Sequence, residues 1–370
     1  MADVVRTTVP AEALKAFCRQ VFQQLGVSEE DARIAAEVLV TSDLRGIESH
    51  GVARLRTFYV NRLRQGVVPA RPQVRTVRET PLTAVIDGGG GLGHPTSYRA
   101  MQLAIEKACS VGAGFVTVRN SNHFGIAGYY AMMALERGCI GMAMTNGNRW
   151  VVPTFGRDPM LGTNPIAIAA PAGRERPFVL DMATSTAAVG KLEIASRQGK
   201  PIPPGWATGR DGQPSTDPDS ILHDVRASLG GGLTPLGGAG ELMGGHKGYG
   251  LAAWVDVFCG LLSGGAYADQ IHSLEDPSAR RPGILGHWFG AWQVEAFQPL
   301  ADFQAAMDDL QQRLKGSRKA DGQDRIYVAG EKEFEEAERR QRDGIPLENV
   351  VLADLQSLGA ELGIELSVTS

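Results

Sequence analysis

The stretch Arg45-Gly-Ile-Glu-Ser-His-Gly-Val-Ala-Arg54 places two arginines, a histidine and two glycines within ten residues, between two segments with helical patterns. Before it, the capping-box pattern Ser28-Glu-Glu-Asp31 opens an amphipathic run that predicts a helix over Glu29–Leu44. After it, apolar residues recur at helical spacing until a glycine closes the run, which predicts a helix over Gly51–Gln65. The stretch is therefore predicted to connect two helices.

The start of the second helix carries the candidate functional side chains. Ser49 is a predicted N-cap, so His50 falls in the first turn and Arg54 lies one turn further on the same face. The free N–H groups of a helix N-terminus favour an anion. An imidazole beside a guanidinium can protonate a carbonyl oxygen while a carboxylate is bound. The pattern thus predicts a site for a small carboxylate; an N-capped surface helix with a solvent-exposed arginine is the structural alternative.

Composition limits the class of protein. The chain has 370 residues, of which 43% are apolar and 21% charged, values typical of a globular protein with a sizeable core in two or three domains. The net charge of −4, with no basic tract, argues against nucleic acid or an anionic membrane as partner. The most apolar long window, Tyr249 to Tyr267, is interrupted by Asp256 and glycines and predicts a buried helix rather than a membrane span.

Targeting and cysteine usage predict a cytoplasmic protein. The N-terminus shows no apolar signal core. The four cysteines are scattered, which argues against a zinc site or a disulfide framework and fits a reducing compartment.

A glycine-rich segment formally matches the dinucleotide fingerprint. A predicted strand, Thr83–Asp87, leads into Gly88-Gly-Gly-Gly-Leu-Gly93 and then a helix through Ala108. In a Rossmann fold the next strand should end in an acidic residue that binds the ribose. That strand, Gly114–Arg119, ends instead in arginine and asparagine, so a Rossmann site is disfavoured here.

Other polar segments follow predicted strands, where α/β proteins place their sites. The loop Asn120-Ser-Asn-His-Phe-Gly125 contains His123, for which a functional role is favoured over a cap. The strand Phe178–Asp181 ends in an acid that could bind a ribose hydroxyl or merely cap a turn. Lys247 follows flexible backbone at the mouth of a helix, an arrangement that suits phosphate. With Lys191, it is also a candidate Schiff-base lysine of a pyridoxal enzyme.

Three further segments are predicted from composition and pattern. Pro201–Pro218 is predicted to be a loop, Ser263–Arg281 a surface excursion, and Ile326–Glu331 a strand that ends in a turn.

Six short motifs, taken in their order and spacing, make the chain resemble the malate/L-lactate dehydrogenase family of the non-Rossmann type. That family also holds ureidoglycolate and sulfolactate dehydrogenases, diketogulonate reductase and cyclic imino-acid reductases. The motifs are Ser42-Asp-Leu-Arg-Gly-Ile-Glu-Ser-His-Gly51, Ser121-Asn-His-Phe-Gly125, Gly162-Thr-Asn-Pro165, Asp181-Met-Ala-Thr184, His246-Lys-Gly-Tyr-Gly250 and Gly330-Glu331.

The resemblance covers nearly the whole chain and implies an architecture. It implies an α/β fold whose mixed sheet forms a non-Rossmann dinucleotide-binding domain, here residues 76–300. A helical domain would be formed by the N- and C-terminal segments, residues 1–75 and 301–370. The cofactor would be NAD or NADP, the substrate a small carboxylate, and the assembly a homodimer.

The resemblance also implies roles for individual residues. His50 would donate the proton to the substrate's oxygen or nitrogen, with Ser49 beside it, and Arg54 would hold the carboxylate. His123 falls where ureidoglycolate dehydrogenases place an acid–base histidine, and Thr163 matches a substrate-contacting position. No residue is assigned to a metal. The positions that match cofactor-binding segments are His123, Phe124, Gly125, Leu180, Asp181, Met182, His246, Lys247, Gly330 and Glu331.

One segment bears on the branch of the family. Imino-acid reductases are expected to carry an acidic residue soon after the Asp-Met-Ala-Thr-like segment, but the run here is Ala188-Val-Gly-Lys191. This favours a 2-keto or 2-hydroxy acid as substrate. A cyclic imino-acid reductase and a catalytically silent dinucleotide-binding homologue are the alternatives, and neither the particular acid nor the choice between NAD and NADP is predicted.

Overall fold

A computed structural model describes residues 6–271 and 284–368, which form both strands and helices. The strands are β1 (Arg6–Val9), β2 (Arg75–Glu79), β3 (Thr83–Asp87), β4 (Ala113–Ser121), β5 (Cys139–Thr145), β6 (Ile166–Ala170), β7 (Phe178–Met182), β8 (Ala207–Thr208), β9 (Pro214–Ser215), β10 (Gly232–Leu233), β11 (Leu285–Gln293) and β12 (Ile345–Glu348). The α-helices are α1 (Ala11–Gln24), α2 (Glu29–Leu44), α3 (Asn61–Arg64), α4 (Gly93–Val111), α5 (Ala127–Met133), α6 (Val189–Arg197), α7 (Pro218–Arg226), α8 (Gly245–Asp256), α9 (Leu300–Lys315), α10 (Glu331–Asp343) and α11 (Asn349–Leu362).

The largest sheet is mixed, which confirms the predicted α/β class. Its strand order is β2-β3-β4-β11-β5-β6-β7. The pair β3–β4 is parallel and the other neighbours are antiparallel. Strand β11 comes late in the chain yet lies between β4 and β5, at the centre of the sheet. This order differs from that of a Rossmann fold.

The glycine-rich turn after β3 packs against protein. A Cβ at Gly93 would lie 2.1 Å from the carbonyl oxygen of Asn122. The buried amide of Asn122 donates hydrogen bonds to the carbonyl oxygens of Gly90 and Gly91, at 2.7 and 2.8 Å. The glycines therefore permit a close approach of turn and loop, and the formal fingerprint reflects packing rather than a phosphate site.

The residues that break the fingerprint also have structural partners. Arg119 and Asn120 both contact the carboxylate of Asp87 at the end of β3, at 3.3 and 3.0 Å. These hydrogen bonds, together with the positive charge of Arg119, hold the pKa of Asp87 below its usual value against the opposing effect of burial. These contacts thus join the carboxyl ends of the parallel strands β3 and β4.

Replacing Gly93 with alanine is expected to lower the free energy of unfolding by about 1–3 kcal/mol, the usual cost of overpacking. The added methyl group would collide with two backbone carbonyl groups, which cannot move aside as a side chain can. Chemical denaturation measures the difference. Ser110→Ala, at an exposed position of the same helix, is the matched control, and equal stabilities for the two variants would contradict the packing account.

Two large apolar cores support the site. In one, α1, α2 and the segment 52–68 pack with β12 and α11, so the two ends of the chain share a core. Pairing of β1 with β12 joins them further. In the other, α4 and α5 cover one face of the large sheet. Helix α9 contacts the central region, since Asp308 accepts hydrogen bonds from the backbone of residues 173–175.

The predicted helix over Gly51–Gln65 is wrong in its first part. The chain forms 3₁₀ turns at Glu48–His50 and Val52–Arg54 and a wide π-helical turn at Leu55–Val60 before α3. Ser49 is therefore not an N-cap. Gly51 is extended, and the N–H of Val52 donates instead to the buried carboxylate of Asp43, at 2.8 Å.

Two other segments differ from their predictions. Residues 326–330 form no strand: the chain is irregular up to Val328, turns at 329–330 and enters α10 at Glu331, whose carboxylate accepts from the N–H of Val328 at 3.0 Å. The segment Pro201–Pro218 contributes β8 and β9 to a small sheet with β10. Of the predicted excursion at Ser263–Arg281, residues 272–281 lie outside the described residues; the described part includes a 3₁₀ turn at Ala268–Gln270.

Candidate active site

Residues from distant parts of the chain enclose a cavity of about 140 Å³. Its apolar walls include Phe58, Trp150, Pro165 and Leu285. The predicted site residues that line it are Ser49, His50, Arg54, His123, Phe124, Gly125 and Thr163. The structure thus brings the predicted catalytic and substrate-binding residues together.

His50 and Arg54 reach the cavity from consecutive 3₁₀ turns rather than from one face of a regular helix. The Oγ of Ser49 lies 2.9 Å from Nδ1 of His50. Arg54 donates from Nε to the backbone oxygen of Ser49, at 2.9 Å, and its guanidinium lies 5.0 Å from the ring centre of Phe58. The imidazole and the guanidinium are therefore fixed relative to each other through the Ser49 backbone.

Hydrogen bonds to Asp43 and Glu48 hold the turn that carries His50. A Cβ at Gly51 would lie 2.0 Å from the carboxylate of Asp43, so the turn lies directly on this side chain. Arg340 of α10, itself buried, donates to the backbone oxygen of Asp43 at 2.8 Å and to Glu48 at 2.7 Å. Burial raises the pKa of Asp43 to about 8. The C-terminal part of the chain thus anchors the turn that carries His50.

His123 faces His50 across the cavity. The two imidazoles are stacked, with ring centres 5.5 Å apart and planes inclined by 21°. Burial, reinforced by the charge of Arg54, lowers the pKa of His50 to about 4. Burial, followed by the proximity of His50, lowers the pKa of His123 well below its ordinary value. Both rings are therefore neutral at neutral pH, and each presents either a lone pair or an N–H group.

A rigid histidine supports the ring of Phe124. The rings of Phe124 and His287 are stacked, with centres 4.7 Å apart. His287 is fully buried between the hydroxyl groups of Thr145 and Ser121, at 2.7 and 2.8 Å. Sequence reasoning gave His287 no role, because a single histidine in an apolar strand carries no distinguishing signal.

Glu193 of α6 is a second residue that sequence reasoning did not identify. Its carboxylate lies 3.6 Å from Nη2 of Arg54 and 3.1 Å from Nη2 of Arg226. The run Ala188–Lys191 lacks an acid, but Glu193 follows only two residues later in α6, and its carboxylate lies at the edge of the site. In this arrangement Glu193 contacts the two arginines.

The other predicted cofactor-binding positions lie away from the cavity lining. Asp181 accepts a hydrogen bond from the N–H of Gly128 at 2.7 Å, and burial raises its pKa to about 6. Glu331 pairs with Lys315 at 3.1 Å. The strand residues Leu180, Asp181 and Met182 are neighbours of the segment with Gly330 and Glu331, since Ala329 accepts from the N–H of Val179.

The first turn of α8 carries His246 and Lys247, both exposed. Neither Lys247 nor Lys191 lines the cavity. The ammonium group of Lys191 lies 5.4 Å from the ring centre of Trp206, in a cation–π contact. The geometry therefore offers no support for a Schiff-base lysine in this cavity.

Two searches of the described residues bear on other classes of site. No helix within 6–271 and 284–368 has the length and apolar character needed to cross a bilayer. In the same part of the chain, no group of three or more His, Cys, Asp or Glu side chains is arranged to hold a metal ion.

Comparison with known proteins defines the class. The model of the malate/L-lactate dehydrogenase family matches residues 9–356. Malate dehydrogenase of Pyrococcus horikoshii is 46% identical over 357 residues, covering 96% of each chain. L-sulfolactate dehydrogenase of Methanocaldococcus jannaschii is 38% identical over 346 residues, covering 94% of each. The crystal structure of malate dehydrogenase from Entamoeba histolytica superposes with a TM-score of 0.93 at 38% identity, covering 97% of this chain and 99% of that one.

The chain belongs to the malate/L-lactate dehydrogenase family, which confirms the resemblance drawn from its motifs. It is accordingly an oxidoreductase of the dehydrogenase type that acts on CH–OH groups.

Proposed function

We propose that the protein is an NAD(P)-dependent dehydrogenase that transfers hydride between a nicotinamide and a small 2-keto or 2-hydroxy acid of the malate, lactate or ureidoglycolate type. The observation that carries this proposal is the shared cavity, into which an imidazole, a guanidinium and a second imidazole open together. A carboxylate, a reacting oxygen and a flat ring are the groups that such a set can bind.

The cavity suits the reacting end of a dinucleotide. It combines flat apolar faces, among them Phe124 and Pro165, with polar groups at its edge. Phe124 and Gly125 would flank the nicotinamide, and the segments 180–182, 246–247 and 330–331 would hold the rest of the cofactor. When bound, the nicotinamide supplies the hydride chemistry.

The chain supplies binding and proton transfer. Arg54 would bind the substrate carboxylate through two parallel hydrogen bonds. With Nδ1–H of His50 donating to Ser49, its Nε2 lone pair is free to take the proton of the substrate hydroxyl, and the same proton returns to the carbonyl oxygen in reduction. Holding both groups in place removes much of the entropic part of the barrier.

A panel of 2-hydroxy acids and 2-keto acids, each assayed with both cofactors through the absorbance of the reduced nicotinamide, tests the proposal. A cyclic imino acid belongs in the panel, because Glu193 brings a carboxylate to the edge of the site. Turnover of the imino acid alone would favour the reductase alternative. Dinucleotide binding without turnover of any compound would favour a silent homologue.

The pH dependence should differ between the two directions. Oxidation needs neutral His50, and since burial lowers its pKa to about 4, kcat/KM for oxidation is expected to stay constant between pH 6 and 8. Reduction needs the protonated ring, so its kcat/KM is expected to fall about tenfold per pH unit over that range, as for one ionising group. Initial rates in both directions measure this. A flat profile for reduction would contradict the assignment of His50.

We also propose a homodimer in a reducing cytoplasm. The cysteines Cys18, Cys139 and Cys259 are free and buried. An exposed apolar surface, such as the outer face of α8 beyond the exposed Lys247 and its continuation, is typical of the contact between identical subunits. The exposed residues of this apolar face are Leu251, Trp254, Val257, Leu261 and Leu262.

Trp254→Glu is expected to convert the dimer to monomer, because a carboxylate buried at the centre of an apolar interface has no partner. Light scattering coupled to size-exclusion chromatography gives the mass directly. Val350→Glu is the matched control, since Val350 is a more exposed apolar residue on a different helix. A monomeric wild type, or a dimeric Trp254 variant, would exclude this apolar face as the contact.

A further inference from the structure

We infer that His123 acts as a neutral hydrogen-bond donor, fixed in one tautomer by the backbone N–H of Gly125 and held in position by Tyr59, and that it neither gives up nor takes a proton during the reaction. The inference rests on the proposed function of the cavity and assigns separate tasks to its two histidines. Tyr59, which no motif singled out, becomes a positioning residue.

The hydrogen bonds at Nδ1 of His123 fix its tautomer. The backbone N–H of Gly125 points at this nitrogen from 3.3 Å, and the hydroxyl of Tyr59 lies 2.6 Å from it. A backbone N–H can only donate, so Nδ1 must accept. In a neutral ring the proton then resides on Nε2. His123 therefore offers an N–H group from Nε2.

The surroundings hold Tyr59 and the imidazole in place. Tyr59 is 1% exposed, and its ring packs against Phe22 and against His94, whose centre is 4.7 Å away. Phe58 contacts the edge of His123 with ring centres 5.3 Å apart. Both aromatic residues come from the same π-helical turn, which follows Arg54 directly. One short segment thus supplies the carboxylate clamp, a wall of the cavity and the partner of Nδ1.

His50 has a different kind of partner. Its Nδ1 lies 2.9 Å from the Ser49 hydroxyl, which can either donate or accept. The Nε2 of His50 can therefore lose or gain a proton while Nδ1 remains hydrogen-bonded. At His123, by contrast, protonation of Nδ1 would break the hydrogen bond donated by the Gly125 N–H. It would also make the Tyr59 hydroxyl an acceptor instead of a donor.

The two rings would then act together without exchanging roles. In oxidation the hydroxyl proton would pass to Nε2 of His50, and a bound nicotinamide would supply the hydride acceptor. The N–H of His123 donates throughout to the substrate oxygen, where negative charge develops, and the donor is oriented before the reaction begins. The proton on His123 is the same before and after turnover.

Two substitutions at position 123 separate a donor from an acid–base group. The amide nitrogen of glutamine can occupy the place of imidazole Nε2, whereas the shorter asparagine cannot, and neither amide titrates. We expect His123→Gln to keep kcat within about tenfold of wild type and His123→Asn to lose about 10²–10³-fold, the usual effect of removing such a donor. Equal losses of about 10²-fold or more in both variants would overturn the inference.

Nitrogen NMR of the wild-type protein observes the tautomer independently of turnover. The spectrum of His123, assigned by its absence from the His123→Gln variant, should show Nε2 protonated and Nδ1 not. In Tyr59→Phe the Gly125 N–H still faces Nδ1, so Nε2 should stay protonated in the main species, while loss of the positioning hydroxyl reduces kcat more than KM changes. Protonated Nδ1 in the wild type would overturn the inference. A wild type that turns over no member of the acid panel would refute the proposed function instead, and the NMR result would still decide the tautomer.

Discussion

Replacing His50 with alanine is expected to lower kcat for oxidation of the preferred 2-hydroxy acid by about 10²–10⁴-fold, the range that a positioned proton acceptor contributes. The second histidine of the cavity cannot replace His50 as proton acceptor, because His123 presents an N–H group rather than a lone pair to the substrate. Dinucleotide affinity should be unchanged, since the ring contributes proton transfer rather than the groove for the cofactor. Stopped-flow or steady-state absorbance gives the rate, and fluorescence titration gives the affinity.

His223→Ala is the control for this experiment, because His223 is an exposed histidine on α7 whose loss leaves the cavity untouched. It should retain full activity. If the His50 variant keeps more than about one tenth of wild-type kcat, the proton acceptor must be another group and the assignment fails.

Arg54→Lys is expected to raise KM for the substrate acid by about 10–100-fold, with a smaller effect on kcat, because lysine is a point charge that lacks the planar pair of donors. The variant also loses the bond from Nε to the backbone of Ser49, so the cation is no longer tied to the turn that carries His50. Initial rates over a range of substrate concentrations separate the two constants.

The matched control is Arg64→Lys, which changes an arginine of α3 whose guanidinium pairs with Glu361 at 2.8 Å on the surface. Its KM should equal that of wild type. An unchanged kcat/KM for the Arg54 variant would mean that the carboxylate binds elsewhere in the cavity.

The sequence predicted the identity of the site residues better than it predicted the local structure that carries them. The motifs identified Ser49, His50, Arg54, His123 and Thr163, and all of these line one cavity. The helix that was expected to carry His50 and Arg54 does not form there. The N–H of Val52 is capped by a carboxylate nine positions earlier, and a local capping pattern cannot show a partner at that distance.

The residues that sequence reasoning missed have ordinary sequence environments. Tyr59 belongs to an apolar run at helical spacing, which indicates only a core residue. Its hydroxyl gains a role from the nearby imidazole of His123, and only the fold shows that the two are close. Glu193 lies two residues after the run Ala188–Lys191, in which an imino-acid reductase is expected to carry its acidic residue. The place of strand β11 between β4 and β5 depends on pairing over more than a hundred residues and leaves no local pattern.

The position of β11 also affects how the polypeptide is made. Until the ribosome has released the chain through Gln293, β11 cannot insert between β4 and β5. Each of these two strands therefore has an unpaired edge in the nascent chain. Unpaired strand edges are where incomplete chains aggregate. Products of translation that stop before Leu285 should therefore be insoluble or bound to chaperones, even though they contain every cavity residue except that leucine.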